Sequence, residues 1–308
     1  MPSNLSPLGA LPSRFRRQRV LIIGCGDVGL RLGRGLQSRT TVLALTSSPE
    51  RVPLLRAAGI KPLQGNLDDA ASLRRLAGLA NRVVHLAPPP SHNPAWQTDP
   101  RTLALLRALR LRNLPQSLVY GSTSGVYGDC SGALVDETRL LRAGTPRSQR
   151  RVSAEAHVRH FGRATGVASH VLRIPGIYAA DRDNGTPRGR LLKGTPVLRQ
   201  EDDVYTNHIH ADDLARACLA ALWRGRPQRT TNVCDDTRLL MGDYFDLAAD
   251  LYGLPRPPRL ARGVATEQLP LMLLSFMGES RQLDNRRMKQ ELRLALRYPT
   301  VREGLLPE

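Results

Sequence analysis

Six residues near the amino terminus constrain this chain more than any others: Gly24-Cys25-Gly26-Asp27-Val28-Gly29, a G-x-G-x-x-G spacing. The spacing gains its meaning from its setting. An apolar run, Val20-Leu21-Ile22-Ile23, leads into it, and Val28, Leu32 and Leu36 follow at helical intervals. The stretch therefore reads as strand, tight turn and helix. Gly24 permits the turn, Gly26 lets a ligand approach the backbone, and Gly29 lets helix and strand pack closely. The uncapped N–H groups and positive dipole end of such a helix suit a diphosphate, so the turn, with Cys25, Asp27 and Val28, is expected to hold a dinucleotide.

The pattern then repeats. Strands are predicted at residues 41–45, 61–64, 83–87 and 117–120, with helices at 49–58, 70–77 and 101–111 between them. Further on come a helix at 151–165, a strand at 169–174 ending at Pro175, a helix at 212–223 and a strand at 230–234. Strands alternating with helices predict an α/β fold, a doubly wound parallel Rossmann sheet. The loop-rich stretch at 179–205 and helices near 241–251 and 284–294 predict a smaller C-terminal substrate lobe. The expected division is 1–18 as a disordered leader, 19–175 plus 205–235 as the dinucleotide-binding domain, and 176–204 plus 236–308 as the small lobe. The arginine-rich leader also has the composition of a transit peptide.

Charge narrows the choice of partners. The net charge of +18 is carried almost wholly by arginine, since lysine occurs only at positions 61, 193 and 289. Aromatic residues are 4% of the chain, too few to interleave a basic surface with base-stacking platforms, which argues against nucleic acid and for small anionic ligands. No apolar run is long enough to span a membrane. Cys25, Cys130, Cys218 and Cys234 form no C-x-x-C pair, so neither a metal site nor a disulfide framework is expected, and the cytoplasm is the expected compartment.

Where the second strand ends, an acidic residue would mark NAD by binding the ribose hydroxyls. Thr46-Ser47-Ser48 stands there instead, with Arg51 a turn later. Small hydroxyls and a nearby cation leave room for a 2′-phosphate, which favours NADP over NAD, although Glu50 is close by. Two further segments fit the edge of the same site: Gly65-Asn66-Leu67-Asp68-Asp69 after the third strand and His85-Leu86-Ala87-Pro88 at the fourth.

With Tyr120-Gly121-Ser122-Thr123-Ser124-Gly125-Val126-Tyr127-Gly128, Leu172-Arg173-Ile174-Pro175-Gly176-Ile177-Tyr178 and residues 207–215, the chain resembles the extended short-chain dehydrogenase/reductase family, the NAD-dependent epimerase/dehydratase group, from about residue 19 to 258. The resemblance implies cofactor contacts at Thr46, Ser47, Asn66, Leu67, Leu86, Ala87 and Pro88. It also implies that Thr123 stands where the family's catalytic Ser/Thr donates to a substrate oxygen, and that Asp212 caps a helix. One part of the pattern is broken. Ser153-Ala154-Glu155 sets the register of the family's Y-x-x-x-K, and on that register Arg147 replaces tyrosine and Arg151 replaces lysine, as in atypical members of the family.

Arginine stays charged and accepts no hydrogen bond, so Arg147 cannot exchange the proton that tyrosine would. Two functions follow as expectations. In one, an NADP(H)-dependent reductase or nucleotide-sugar-type epimerase/dehydratase uses Arg147 and Arg151 to clamp an anionic substrate, with Thr123 polarising it and Tyr127 or a water moving the proton. In the other, a non-catalytic NADP(H) sensor or scaffold keeps the coenzyme and has lost the chemistry. A homodimer through the helices at 101–111 and after 151 is a further expectation, with Leu103, Leu106 and Leu109 as either its contacts or ordinary core.

Overall fold

The structure, a computed structural model, describes residues 18–37, 40–90 and 97–306. All of the expected leader but its last residue lies outside them. Within the described residues, seven parallel strands form the sheet: β1 (Gln18–Ile23), β2 (Thr40–Thr46), β3 (Lys61–Gln64), β4 (Arg82–His85), β5 (Ser117–Thr123), β6 (Ala168–Ile174) and β7 (Arg229–Asn232). Their spatial order is β7-β6-β5-β4-β1-β2-β3. The order reverses beside β1, which pairs with β2 on one side and β4 on the other, and such a switch point opens a crevice at the carboxyl ends of the strands.

Both faces of the sheet are covered by helices, which explains why the inner strands β1 and β2 carry the unbroken apolar runs 20–23 and 42–45 rather than alternating ones. Val20 and Ile22 of β1 pack into the core beneath α1 (Asp27–Leu36) and α6 (Ala211–Arg224), while Leu21 and Ile23 face the core of α4 (Pro100–Leu109) and α5 (Pro146–Thr165). All four side chains are completely buried. At roughly 25 cal/mol per Å² of apolar surface, each contributes about 1.5–3 kcal/mol. Leu106 and Leu109 of α4 belong to this core, and Leu103 is half-buried.

Several bounds differ from the sequence expectation for local reasons. Helix α5 starts at Pro146 rather than near residue 151, because Thr145 and Ser148 form a reciprocal capping box and Pro146 supplies the preset φ of a first helical position. Arg147 and Arg151 consequently lie one turn apart on the same helix. Strand β5 runs on to Thr123, paired with Ile174 of β6. Strand β4 stops at His85, since the N–H groups of Leu86 and Ala87 both donate to the Ile23 carbonyl and turn the chain over the first loop. Between them lie α2 (Val52–Ala57) and the short α3 (Ala70–Leu73), the latter continued by one 3₁₀ turn.

Beyond the sheet, α7 (Met241–Tyr252) packs Tyr244, Phe245 and Ala248 against Leu191, Val197 and Val204 in a core of their own. The last helical segment of residues 284–294 does not join that core. Met288 and Leu292 are fully buried in the α1/α6 core instead, where the short helix Arg286–Glu291, which carries Met288 and is followed by Leu292, covers the edge strand β7. No described helix is long and apolar enough to cross a membrane.

Candidate active site

The first turn has the geometry its glycines require. Gly24 adopts φ +80°, and a Cβ there would collide with the backbone of Ala87. A Cβ on Gly29 would lie 3.2 Å from Cys25 Sγ and 3.3 Å from Ile22 Cγ2, a contact too tight for anything but glycine at ease. Gly26 is different: it is the N-cap of α1, has no side chain to cap the helix, and nothing stands within 4 Å of where its Cβ would be. Its missing side chain therefore serves no packing contact and leaves the backbone open to the cleft. Gly33, which the motif reading passed over, presses α1 onto the side chain of Ile60; its spacing of four from Gly29 is the signal that could have revealed it.

Above this turn lies a cleft of about 370 Å³. Gly24, Cys25 and Gly26 line it from the turn, Thr46 and Ser47 from the end of β2, Asn66 and Leu67 from beyond β3, and Leu86, Ala87 and Pro88 from beyond β4. Asp27, Val28 and Gly29 do not line it; Val28 is core, and Asp27 pairs with Arg31 at 3.0 Å. Ser48, Arg51 and Arg101 complete the lining. The Arg51 guanidinium donates to the Cys25 carbonyl at 2.7 Å, and the Ser48 N–H donates to Thr46 Oγ1 at 3.2 Å. Arg101 grips Asp68 with two bonds of 2.7 and 2.5 Å and reaches the Pro88 carbonyl at 3.3 Å. It thereby braces the segments after β3 and β4 against each other and holds the Asp68 carboxyl below the usual carboxylate range. Asn66 turns its Oδ1 back onto the Asp68 N–H at 3.0 Å. Burial pushes the Cys25 thiol up to about 11, so it stays a thiol within the turn.

An open groove lined by an uncapped helix N-terminus at Gly26, by the hydroxyls of Thr46, Ser47 and Ser48 and by the Arg51 guanidinium has the donors that suit a dinucleotide.

The second half of the site gathers where β4 and β5 end. Arg151 is 8% exposed, and its Nη1 reaches the Gly121 carbonyl at 2.7 Å, the Tyr120 hydroxyl at 3.0 Å and the Ala87 carbonyl at 3.5 Å. It thus links the cleft wall at Ala87 to β5. Thr123 ends β5 half-buried, its Oγ1 accepting from the Gly125 N–H at 3.3 Å. Arg147 is exposed one turn before Arg151, and desolvation together with the charges of Arg151 and Arg150 pulls its pKa down. The structure brings Arg147 and Arg151 together on one helix at the end of β5, where the Gly125 turn packs against Ser148.

Tyr127 does not join them. It is completely buried, donates to Asn232 Oδ1 at 2.7 Å and accepts from Arg173 Nη1 at 2.9 Å. Burial pushes its hydroxyl up to about 12, with Arg173 pulling the other way. The expectation that Tyr127 moves a proton is corrected by this placement, for its oxygen is committed on both sides to the interior. The underlying network was also missed. Glu155, with no exposure, accepts from Ser122 Oγ at 2.6 Å, from Arg173 Nε and Nη2 at 3.1 and 2.9 Å, and from Arg159 at 2.5 Å. An acid on the inward stripe of α5 and an arginine inside the apolar strand Ala168–Ile174 were the available signals, since buried charges come in pairs. A further correction concerns α6. Its N-cap is His210, whose Nδ1 accepts from the Asp212 N–H at 3.3 Å, so Asp212 is a first-turn residue and not the cap.

A model of the NAD dependent epimerase/dehydratase family matches residues 20–234, from β1 to just past β7. The GDP-6-deoxy-D-mannose reductase of Pseudomonas aeruginosa is 26% identical over 255 residues, which cover 76% of this chain and 80% of that protein. A conserved protein of unknown function from Silicibacter pomeroyi superposes with a TM-score of 0.78 at 29% identity, over 94% of this chain and 96% of its own. The UDP-glucuronic acid 4-epimerase of Bacillus cereus in complex with NAD superposes with a TM-score of 0.73 at 18% identity, again over 94% and 96%. With the Rossmann sheet, the glycine turn and the cleft above it, these matches establish that the chain belongs to the NAD dependent epimerase/dehydratase family of NAD(P)-binding oxidoreductases and epimerases.

Proposed function

We propose that this protein is an NADP(H)-dependent reductase or nucleotide-sugar-type epimerase/dehydratase whose active site works without a tyrosine–lysine pair. The observation that carries the reading is the Arg151 guanidinium, held at the carboxyl ends of β4 and β5 beside the cleft wall at Ala87. A cation there stands where the family register puts its lysine; with its Nη1 turned to Gly121, Tyr120 and Ala87 it supplies positive charge beside the cleft, and the exposed Arg147 offers forked donors to a phosphate or carboxylate of the substrate. Thr123 polarises the substrate oxygen, and a water replaces the missing tyrosine as proton carrier. The coenzyme, when bound, supplies or takes the hydride. Ser47, Ser48 and Arg51 favour a 2′-phosphate, hence NADP over NAD. The partners are a small anionic substrate and a second copy of the chain through the half-buried Leu103 side of α4, and the setting is the cytoplasm, consistent with four free, buried cysteines.

A second reading, a sensor of the NADP/NADPH ratio without chemistry, is favoured by the burial of Tyr127 together with arginine at position 147. Incubation with NADPH or NADP⁺ and a panel of GDP- and UDP-linked sugars, followed by coenzyme absorbance and product chromatography, separates the two. Turnover of any member supports the enzyme. Tight coenzyme binding with no turnover, together with unequal affinity for the oxidised and reduced forms, supports the sensor.

A further inference from the structure

Arg31 of α1 is enclosed, its side chain 11% exposed, and each of its three guanidinium nitrogens holds a carboxylate: Asp27 at 3.0 Å, Asp212 at 2.7 Å and Asp181 at 2.6 Å. These acids come from three places. Asp27 opens α1 directly after Gly26, Asp212 lies in the first turn of α6, and Asp181 belongs to residues 179–187, the segment between the short strand Gly176–Tyr178 and the helix Arg188–Leu192. The next residue of that segment, Arg182, donates to the Ile177 carbonyl at 2.7 Å and points its Nε at Asp27 Oδ2 from 3.5 Å. That oxygen is buried and accepts no hydrogen bond among the described residues.

The electrostatics of this arrangement raise a specific demand. A carboxylate at the start of a helix is stabilised by the dipole, but a diphosphate arriving at Gly26 would meet the carboxylate of the next residue, Asp27, as a like charge, which disfavours its binding unless a cation intervenes. Arg31 is already spent on three carboxylates. Arg182 spends one nitrogen on the Ile177 carbonyl and turns its Nε to Asp27 at ion-pair distance without a hydrogen bond, from a segment that Arg31 fastens beside the turn through Asp181.

We propose that Arg182 is a coenzyme-binding residue, its guanidinium turning from Asp27 to the diphosphate, with residues 179–187 forming a strap that Arg31 latches across the first turn. This rests on the reading that a dinucleotide occupies that turn. The strap also leads into the small lobe, so the same contact ties coenzyme binding to the substrate side.

The test is equilibrium binding of NADPH and of adenosine 2′-monophosphate, which lacks the diphosphate, to the full chain and to Arg182→Gln, Arg182→Lys and Arg182→Gln/Asp27→Asn. The charged contact predicts a loss of about 10- to 100-fold for NADPH in Arg182→Gln, partial recovery in Arg182→Lys, no change for adenosine 2′-monophosphate, and an unchanged melting temperature. The loss persists in the double variant, because Arg182 then acts on the ligand and not only on Asp27. Equal NADPH affinity in wild type and Arg182→Gln, or full recovery in the double variant, overturns the assignment of Arg182 alone. A wild-type protein that binds none of the nicotinamide coenzymes overturns the underlying reading with it.

Discussion

The guanidinium of Arg151 donates to the main-chain carbonyl of Gly121 across 2.7 Å, so a helix residue holds the end of the central strand β5 in place. Gly121, Tyr120 and Ala87 all meet the one nitrogen Nη1, which a lysine, a compact point charge on a different stem, matches only in part. Arg151→Ala is expected to orphan the Gly121 carbonyl and lower stability by about 1–3 kcal/mol in urea denaturation. Arg151→Lys should recover part of the loss. Unaltered stability in Arg151→Ala would show that the contact is incidental.

Breaking the interior pair costs more. Glu155→Gln leaves the Arg173 guanidinium buried with a neutral partner and is expected to destabilise the protein by about 3–5 kcal/mol. Glu155→Gln with Arg173→Met should cost less than the sum of the two single changes, because the second removes the charge the first leaves unpaired. Urea midpoints of the four proteins check this.

Coenzyme selectivity should reside in Arg51. Arg51→Ala is expected to weaken NADPH by about tenfold or more, the value of one charged contact, and to leave NADH nearly unchanged. Titration with both coenzymes gives the ratio directly, and an equal loss for both would assign Arg51 to holding the Cys25 carbonyl only.

The buried histidines predict acid lability. Burial holds His85 and His208 near 3 and His170 near 4, so they stay neutral in the folded protein while the unfolded chain takes up protons below about 6.5. Their contribution is intact above that pH and declines as pH falls toward the folded values. Asp235 works oppositely: burial raises it to about 7, so it gains stability as pH falls from about 7 toward 4. The three histidines outweigh Asp235, His210 shifts the same way as they do while Glu137 and Asp203 side with Asp235, and stability should fall as pH drops from 6.5 to 4.5, by roughly 1–2 kcal/mol per unit. Denaturation at several pH values checks the slope, and Asp235→Asn should steepen it.

Much of the fold was legible because its signals are local. The run of residues 20–23 followed by three spaced glycines needs no distant partner to be read, and the cleft residues follow from strand ends in a parallel sheet. What escaped depends on contacts across the chain. Tyr127 sits in a motif that reads as catalytic, yet its orientation is decided by Arg173 and Asn232, 46 and 105 residues away. The early start of α5 was readable from Thr145, Pro146 and Ser148, but the apolar periodicity begins later and masked the cap. Met288 could not be assigned to the sheet core from its own neighbours, since edge strand β7 supplies the surface it covers.

The most direct measurement is NADPH titration of wild type and Gly26→Ala with melting temperatures in parallel. A methyl group at Gly26 meets no protein atom within 4 Å, so the variant should fold with a loss of no more than about 1 kcal/mol at this N-cap. It should bind the coenzyme at least about tenfold more weakly, because the methyl stands where the diphosphate must approach the backbone. A variant that binds as tightly as wild type, or a folded wild type that binds no nicotinamide coenzyme, would contradict the account.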